Sequence, residues 1–123
     1  MKRKFKLVRI CEEKYLSANA DDSVPRPPFC LEYKVGEVTE TIGLGIACYK
    51  TLKCANTSDH IRETMSSFNR GKPIAIIELE PIGKPVYRDI RYGRSGCYAG
   101  GINYRAVKVV RVIKEVKDGN GII

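Results

Sequence analysis

The sequence predicts an α+β fold, a single domain in which one main helix packs on a twisted, mostly antiparallel sheet. The chain has 123 residues, which is the size of one domain with one hydrophobic core. Residues 51–69 are the one segment with apolar side chains at helical spacing, and several other segments have the pattern of short strands. We therefore expect one domain over residues 1–123, with its core at about residues 3–116 and a flexible tail at 117–123.

The segments before the helix are short. Residues 4–10 alternate apolar with basic side chains, which predicts a strand with one face in solvent and Lys4, Lys6 and Arg9 on that face. Residues 17–28 contain three prolines and predict an extended loop. Further short strands are expected at residues 31–35, 38–42 and 43–49.

The helix predicted over residues 51–69 begins at an N-cap, Thr51, and ends before a glycine and a proline. Residues 74–80 are the most apolar strand, so we expect them at the centre of the sheet. Residues 105–116 form a long strand rich in valine. Its imperfect alternation predicts a β-bulge or burial on both faces.

Composition favours a partner of negative charge. The formal net charge is +8, and basic residues concentrate in the first strand, in residues 84–105 and in the last strand. No apolar run is long enough to span a bilayer, so no membrane partner is expected. The absence of a secretion signal and an odd number of cysteines predict reduced thiols and a cytoplasmic location. Without a Cys-x-x-Cys pair, neither zinc nor another cofactor is expected. The five cysteines are Cys11, Cys30, Cys48, Cys54 and Cys97.

Residues 84–105 contain the predicted binding site, because they combine Arg, Tyr and Gly between two strands. Arginine presents a planar set of donors that suits phosphate, tyrosine offers a ring for stacking, and glycine lets the backbone approach a ligand closely. We therefore expect a phosphate-bearing, nucleotide-like ligand here. The alternative is an ordinary long connection whose arginines are solvated. The predicted binding residues are Arg88, Arg91, Tyr92, Arg94, Ser95, Gly96, Tyr98, Gly100, Gly101, Tyr104 and Arg105.

Several short motifs follow one another in a recognisable order. They are Tyr33-Lys-Val-Gly-Glu37, Gly43-Leu-Gly-Ile-Ala-Cys-Tyr49, a helix with Ala55, Ile76-Ile-Glu-Leu-Glu80 and Tyr104-Arg-Ala-Val-Lys-Val-Val110. This order resembles that of small phage and bacterial domains of uncharacterised function. The strand at residues 43–49 and the helix after it are also similar to the strand–helix core of ADP-ribosyltransferase-type domains. The resemblance covers about residues 31–116. It implies a nucleotide or an ADP-ribose-like signal molecule as ligand and a phage-type accessory or anti-defence role.

The catalytic residues of such transferases are not matched. That fold needs a His or Arg to hold NAD and a Glu to orient the nucleophile, whereas the one histidine, His60, falls inside the predicted helix. Glu78 and Glu80 share a face of their strand, as they would on any solvent-facing side of a sheet. Cys97 has no histidine partner in any motif. We therefore name no catalytic residue and expect non-catalytic binding.

Two other functions stay open. One is nucleic-acid binding, in which Tyr92, Tyr98 and Tyr104 stack on unpaired bases and the basic segments contact phosphates. The other is ADP-ribosyl transfer with Glu78 or Glu80 as its acid. The oligomeric state is left open.

Overall fold

The computed structural model describes residues 3–17, 31–41, 45–57, 61, 73–89 and 101–117. Within these residues the chain forms eight strands and one short helix. The elements are β1 (Lys4–Cys11), β2 (Lys14–Ser17), β3 (Val38–Glu40), β4 (Ile46–Cys48), α1 (Leu52–Ala55), β5 (Ile74–Ile82), β6 (Tyr87–Asp89), β7 (Gly101–Tyr104) and β8 (Ala106–Val116). None of the described residues belongs to a helix with the length and apolar character needed to cross a bilayer.

The strands form two antiparallel sheets that continue into each other. The larger sheet has the order β2-β1-β5-β8-β3, and the smaller has the order β4-β7-β6. Phe5 of β1 exchanges two backbone hydrogen bonds with Tyr49, which directly follows β4, at N···O distances of 3.1 and 2.7 Å. Arg105 alone separates β7 from β8. Strand pairing connects β1 through β5 to β8, the chain itself continues from β8 back to β7, and pairing connects β7 through β4 to β1. The sheet is therefore curled.

A second connection closes the other edge of the larger sheet. The Ser17 amide donates to the Leu31 carbonyl at 3.0 Å, and the Tyr33 amide donates to the Tyr15 carbonyl at 2.8 Å. The same segment then reaches β8, where the Gly36 amide donates to the Val109 carbonyl at 2.8 Å. Residues 31–40 therefore run from the edge of β2 to the edge of β8.

Two apolar clusters stabilise the curled sheet, one on each face. The inner face is the concave side, where Val8, Ile77 and Val109 are fully buried together with side chains of β4 and β7. The outer face carries a second cluster around Leu7 and Ile76, and α1 covers it. Because full burial of one such side chain stabilises a fold by roughly 1.5–3 kcal/mol, both faces of β1 and β5 contribute to stability. Other members of the inner cluster are Leu31, Tyr33, Ile46, Cys48, Ala75, Leu79, Ile102, Tyr104 and Val107.

The prediction of one main helix packed on a sheet is wrong. Strands make up 61% of the described residues and helix 7%, and α1 has only four residues. The predicted N-cap is confirmed, since the Thr51 hydroxyl accepts the Cys54 amide at 3.1 Å. The helix ends at Asn56, because Asn, Thr and Ser side chains compete for backbone hydrogen bonds and favour helix ends. The remainder of the predicted helix, apart from Thr57 and Ile61, lies outside the described residues, as does the predicted tail beyond residue 117.

The irregularity predicted for the last strand is confirmed. The register between β5 and β8 shifts twice, which leaves Val110 and Ile113 of β8 without an opposing residue on β5. Each extra residue on β8 reverses the face of the sheet to which the following side chains point. As a result Lys108, Arg111 and Lys114 are all exposed at three-residue spacing, while Val109 stays in the inner core.

Candidate functional site

Most of the predicted Arg/Tyr/Gly site lies outside the described residues. Those residues are Arg91, Tyr92, Arg94, Ser95, Gly96, Tyr98 and Gly100. The backbone of the two flanking strands is described. Gly101 opposes Asp89, and Ile102 opposes Arg88, so residues 90–100 leave β6 and return to β7 at one end of that strand pair. We call this end of the curled sheet the loop end.

Two predicted binding residues do not belong with that segment. Tyr104 is 6% exposed and packs in the inner core, so its ring is not available to stack on a base. Burial raises the pKa of its hydroxyl, and the neighbouring Cys48 adds to this effect. Arg105 is exposed, but it lies at the far end of β7 from Gly101. At about 3.3 Å per residue, the two Cα atoms are roughly 13 Å apart.

The structure instead brings two lysines of β1 to the loop end. Lys4, Lys6 and Val8 alternate onto one face of β1, and Val8 lies in the inner core. The positive charges of Lys6 and Lys4 act on the inner-core thiol of Cys48 and lower its pKa, although burial has the larger, opposite effect. Both lysines therefore face the inside of the curled sheet, which corrects the expectation that they lie on a solvent face.

The strand register shows how close these lysines are to the strand ends that flank the Arg-rich segment. Phe5 opposes Tyr49, and the preceding residue, Cys48, opposes Ile102, which directly follows Gly101. The path from β1 to the strand that receives residue 100 therefore crosses β4 alone. Two strand spacings amount to about 10 Å. Lys4 and Lys6 therefore lie near the ends of β6 and β7 that flank the Arg-rich segment.

The amino group of Lys6 has a defined position in the gap between β1 and β4. Its Nζ donates to the Ala47 carbonyl at 2.8 Å. Backbone groups two residues apart point to the same side of a strand, so this carbonyl faces β1, as the Tyr49 carbonyl does. Beyond Phe5, however, the edge of β1 pairs with β2 from Val8 onward. The Lys6 amino group therefore donates to the Ala47 carbonyl the hydrogen bond that a backbone amide of a paired strand would donate.

The surroundings of Lys6 are weakly polar. Its Nζ lies 6.0 Å from the centre of the Tyr33 ring, at the limit of a cation–π contact. Burial lowers the pKa of Lys6, and Cys48 opposes that effect. Burial also raises the pKa of Cys48 to about 11, so this residue is a neutral thiol at pH 7 and supplies no counter-charge. Its Sγ donates to the Ile46 carbonyl at 3.5 Å.

The carboxylates proposed for transferase chemistry lie on the opposite face. Glu78 accepts a hydrogen bond from Arg111 Nε at 3.1 Å, and Arg3 lies 3.8 Å from Glu78 and 3.7 Å from Glu80. These ion pairs are on the outer face, and the sheet separates them from Lys6. Glu78 is only 9% exposed, so it is a paired structural residue rather than a solvent-facing one. Among the carboxylates whose side chains the structure describes, which do not include Asp89, none forms an ion pair with Lys6.

One feature of the sequence indicates that β5 and the strands paired with it are covered on both faces. Residues 74–77 of β5 are apolar without alternation, which is typical of a strand buried on both sides. A strand paired with β5 shares both of those covered faces, so its lysines cannot all lie in solvent. What the sequence does not show is that β1 is that partner.

The described residues contain no group of three or more side chains that could hold a metal ion. The resemblance to ADP-ribosyltransferase-type and phage domains stays a prediction, because comparison of the chain with protein-family models, curated proteins and solved structures gives no match.

Proposed function

We propose that the chain is a non-catalytic binding protein for a phosphate-bearing ligand of the nucleotide or ADP-ribose type, bound at the loop end. The observation that carries this proposal is the position of Lys4 and Lys6 at the end of the curled sheet where β6 and β7 flank the segment that contains Arg91 and Arg94. The net charge of +8 leaves an excess of positive charge on the chain. A phosphate group would supply the missing negative charge.

The two basic segments have complementary chemistry. Arginine binds phosphate with two parallel hydrogen bonds, whereas lysine acts as a compact positive charge. Lys4 precedes Lys6 on β1 and so lies nearer the loop end. A well-placed charge-assisted hydrogen bond contributes roughly 1.5–3 kcal/mol. Loss of one such contact should weaken binding by about tenfold or more.

Thermal unfolding with ADP-ribose, ATP, pyrophosphate and adenosine tests the proposal. We expect the phosphate-bearing compounds to raise the melting temperature and adenosine to leave it unchanged. Lys4→Gln should weaken binding about tenfold, since it removes one charged contact. Lys14→Gln is the matched control, because Lys14 opposes Cys11 at the other end of β1 and the change in charge is the same. The proposal fails if no phosphate compound binds, or if both variants bind alike.

The exposed basic row on β8 favours a second function, nucleic-acid binding. The two register shifts place Lys108, Arg111 and Lys114 on the outer face, although Glu78 neutralises part of the Arg111 charge. Such a row can contact successive phosphates of a strand. Each contact contributes about 0.7–0.9 to the slope of log affinity against log salt.

Fluorescence anisotropy with single-stranded RNA separates this function from the first. The double variant Lys108→Gln/Lys114→Gln should reduce the salt slope by about 1.5. A control double variant, Lys14→Gln/Lys34→Gln, changes the charge equally at two exposed lysines outside β8. Equal slopes for the two double variants would exclude the row as the contact surface.

A further inference from the structure

Each strand of the smaller sheet continues a strand of the larger sheet. Along the chain β4 follows β3, β6 follows β5, and β7 leads into β8. Between the two sheets the backbone departs from strand geometry at Gly45 and Gly83, whose φ angles are 85° and 78°, and at Arg105, which alone separates β7 from β8. Gly45 lies beside Tyr104, and Gly83 follows the residue that opposes Ala106, so the three positions cross the sheet at one level. A few such positions at the ends of elements can act as a hinge.

Tyr49, which follows β4, joins the smaller sheet to β1 at what we call the β1–β4 junction. The junction consists of the two backbone hydrogen bonds that Phe5 and Tyr49 exchange and of the hydrogen bond from Lys6 Nζ to the Ala47 carbonyl. Phe5 and Tyr49 form an isolated bridge, whereas β1 and β5 are paired along residues 4–9 of β1. Local opening costs least where few neighbouring hydrogen bonds must break together. We therefore expect the junction to open before the pairing inside either sheet does.

We propose that the curled sheet opens at the β1–β4 junction and bends at Gly45, Gly83 and Arg105, while the strand pairing inside each sheet is kept. Opening breaks the hydrogen bonds of the junction and exposes Ile46 and Cys48, which are buried in the inner cluster of the closed form. The burial of these side chains favours the closed form. Because the pairing inside each sheet persists, opening costs less free energy than unfolding. The inference is independent of any ligand.

Two variants separate opening at the junction from unfolding of the whole chain. Lys6→Met removes the hydrogen bond to Ala47, which is broken in the open form and in the unfolded chain, so both should become more accessible. Glu78→Gln weakens the ion pairs with Arg3 and Arg111, which belong to the larger sheet and persist in the open form. It should therefore favour unfolding and leave opening at the junction unchanged.

Amide hydrogen exchange followed by NMR tests the inference on the full chain. The Tyr49 amide should exchange at least about 100-fold faster than the amide of Ile77 in the middle of β5, after correction for intrinsic rates. Lys4 is an internal control, because alternate residues of a strand direct their backbone groups to opposite edges, and its amide therefore pairs with β5. It should stay protected. Alkylation of Cys48 by N-ethylmaleimide, quantified by mass spectrometry, should report the same opening as Tyr49.

The variants give opposite results for the two kinds of opening. Glu78→Gln should lower the protection of Ile77 about tenfold without changing that of Tyr49. Lys6→Met should lower the protection of Tyr49 and speed the alkylation of Cys48 about tenfold, since a charge-assisted hydrogen bond is lost. Lys14→Met, the same change at an exposed lysine, should do neither.

Three results would overturn the inference. Equal protection of Tyr49 and Ile77, or equal effects of Glu78→Gln on both, would mean that the junction opens only when the whole chain unfolds. Protection of Lys4 as low as that of Tyr49 would mean that the start of β1 frays without any bending at the hinge. No effect of Lys6→Met would show that Lys6 does not hold the junction closed. Should Lys6→Met fail to fold, the unmodified protein and Glu78→Gln still decide.

Discussion

The hydroxyl of Tyr15 donates to Glu115 Oε1 at 2.8 Å and so connects β2 to β8, two strands that β1 and β5 separate. This hydrogen bond lies at the opposite end of the curled sheet from Lys4. It raises the pKa of Tyr15, because the bond and the charge of Glu115 both favour the protonated phenol. Glu115 also lies 3.9 Å from the Lys117 ammonium. This hydrogen bond thus links β2 to β8 at the end of the curled sheet opposite the loop end.

Tyr15→Phe should lower the free energy of unfolding by about 1 kcal/mol, since a hydrogen bond to a charged group is lost at a partly exposed position. The ring still packs against the inner core. Urea unfolding at pH 7 measures the difference. Glu115→Gln, which keeps an acceptor and loses the charge, should cost less. A Tyr15→Phe variant as stable as the original would show that the link does not stabilise the curled sheet.

The buried thiol of Cys48 predicts a loss of stability at high pH. Its pKa is about 11 in the folded protein and 9.0 in the unfolded chain. Between these values the folded state binds more protons, so the free energy of unfolding falls as pH rises from 9 to 11. The loss should approach about 2–3 kcal/mol. Denaturant unfolding at pH 8, 9, 10 and 11 measures it. Cys48→Ala should flatten this part of the profile, whereas Cys11→Ala should leave it steep.

Gly45 should be the least replaceable of the described glycines with positive φ. A Cβ there would lie 2.8 Å from the Tyr104 carbonyl oxygen and 2.9 Å from Val86 Cγ2. Gly36 has nearly the same φ, but a Cβ there would meet nothing within 4 Å. Alanine at either position adds the backbone cost of roughly 1–2 kcal/mol. Gly45→Ala should cost at least about 1 kcal/mol more, because the Tyr104 backbone and the Val86 side chain must move. Equal melting temperatures for the two variants would contradict this.

Glu78 should prove structural rather than catalytic. Glu78→Gln leaves Arg3 and Arg111 without their shared carboxylate and should lower stability by about 1–2 kcal/mol. A double-mutant cycle with Arg111→Gln should give a coupling energy of at least about 0.5 kcal/mol. Incubation of the unmodified protein with labelled NAD should release no nicotinamide. Nicotinamide release that Glu78→Gln abolishes would restore the transferase hypothesis.

The sequence predicts the strands better than the way they are arranged. The cores of β1, β5 and β8 are evident because their alternation or continuous apolar character is local information. The apolar pattern of the predicted helix is also real, since Ala55 and Ile61 are both buried. They pack on the outer face, and Ile61, which lies beyond the end of α1, is helical, with its amide donating to the Thr57 carbonyl at 3.0 Å.

The candidate site is harder to predict, because it depends on contacts between distant segments. Lys4 and Lys6 appear in the sequence as the solvent face of an amphipathic strand. Their inward position follows from the pairing of Phe5 with Tyr49 and from the cover that α1 gives to the outer face. No property of residues 4–10 alone encodes either contact. The Arg/Tyr/Gly segment is conspicuous by composition, whereas the position of its flanking strands relative to β1 follows only from the register of three strands.

One edge of β1 pairs with Tyr49 at Phe5 and with β2 from Val8 onward, and this has a consequence for the order of folding. The hairpins β1–β2 and β6–β7 join neighbours in sequence, so they can form early, whereas the pair of Phe5 with Tyr49 joins distant segments and must close a long loop first. The pairing of Phe5 with Tyr49 is therefore expected to form among the last steps of folding. Until it occurs, Lys6 is an ordinary hydrated lysine with an ordinary pKa. The hydrogen bond of the amino group to the Ala47 carbonyl and the lowered pKa are thus acquired only as the molecule completes its fold.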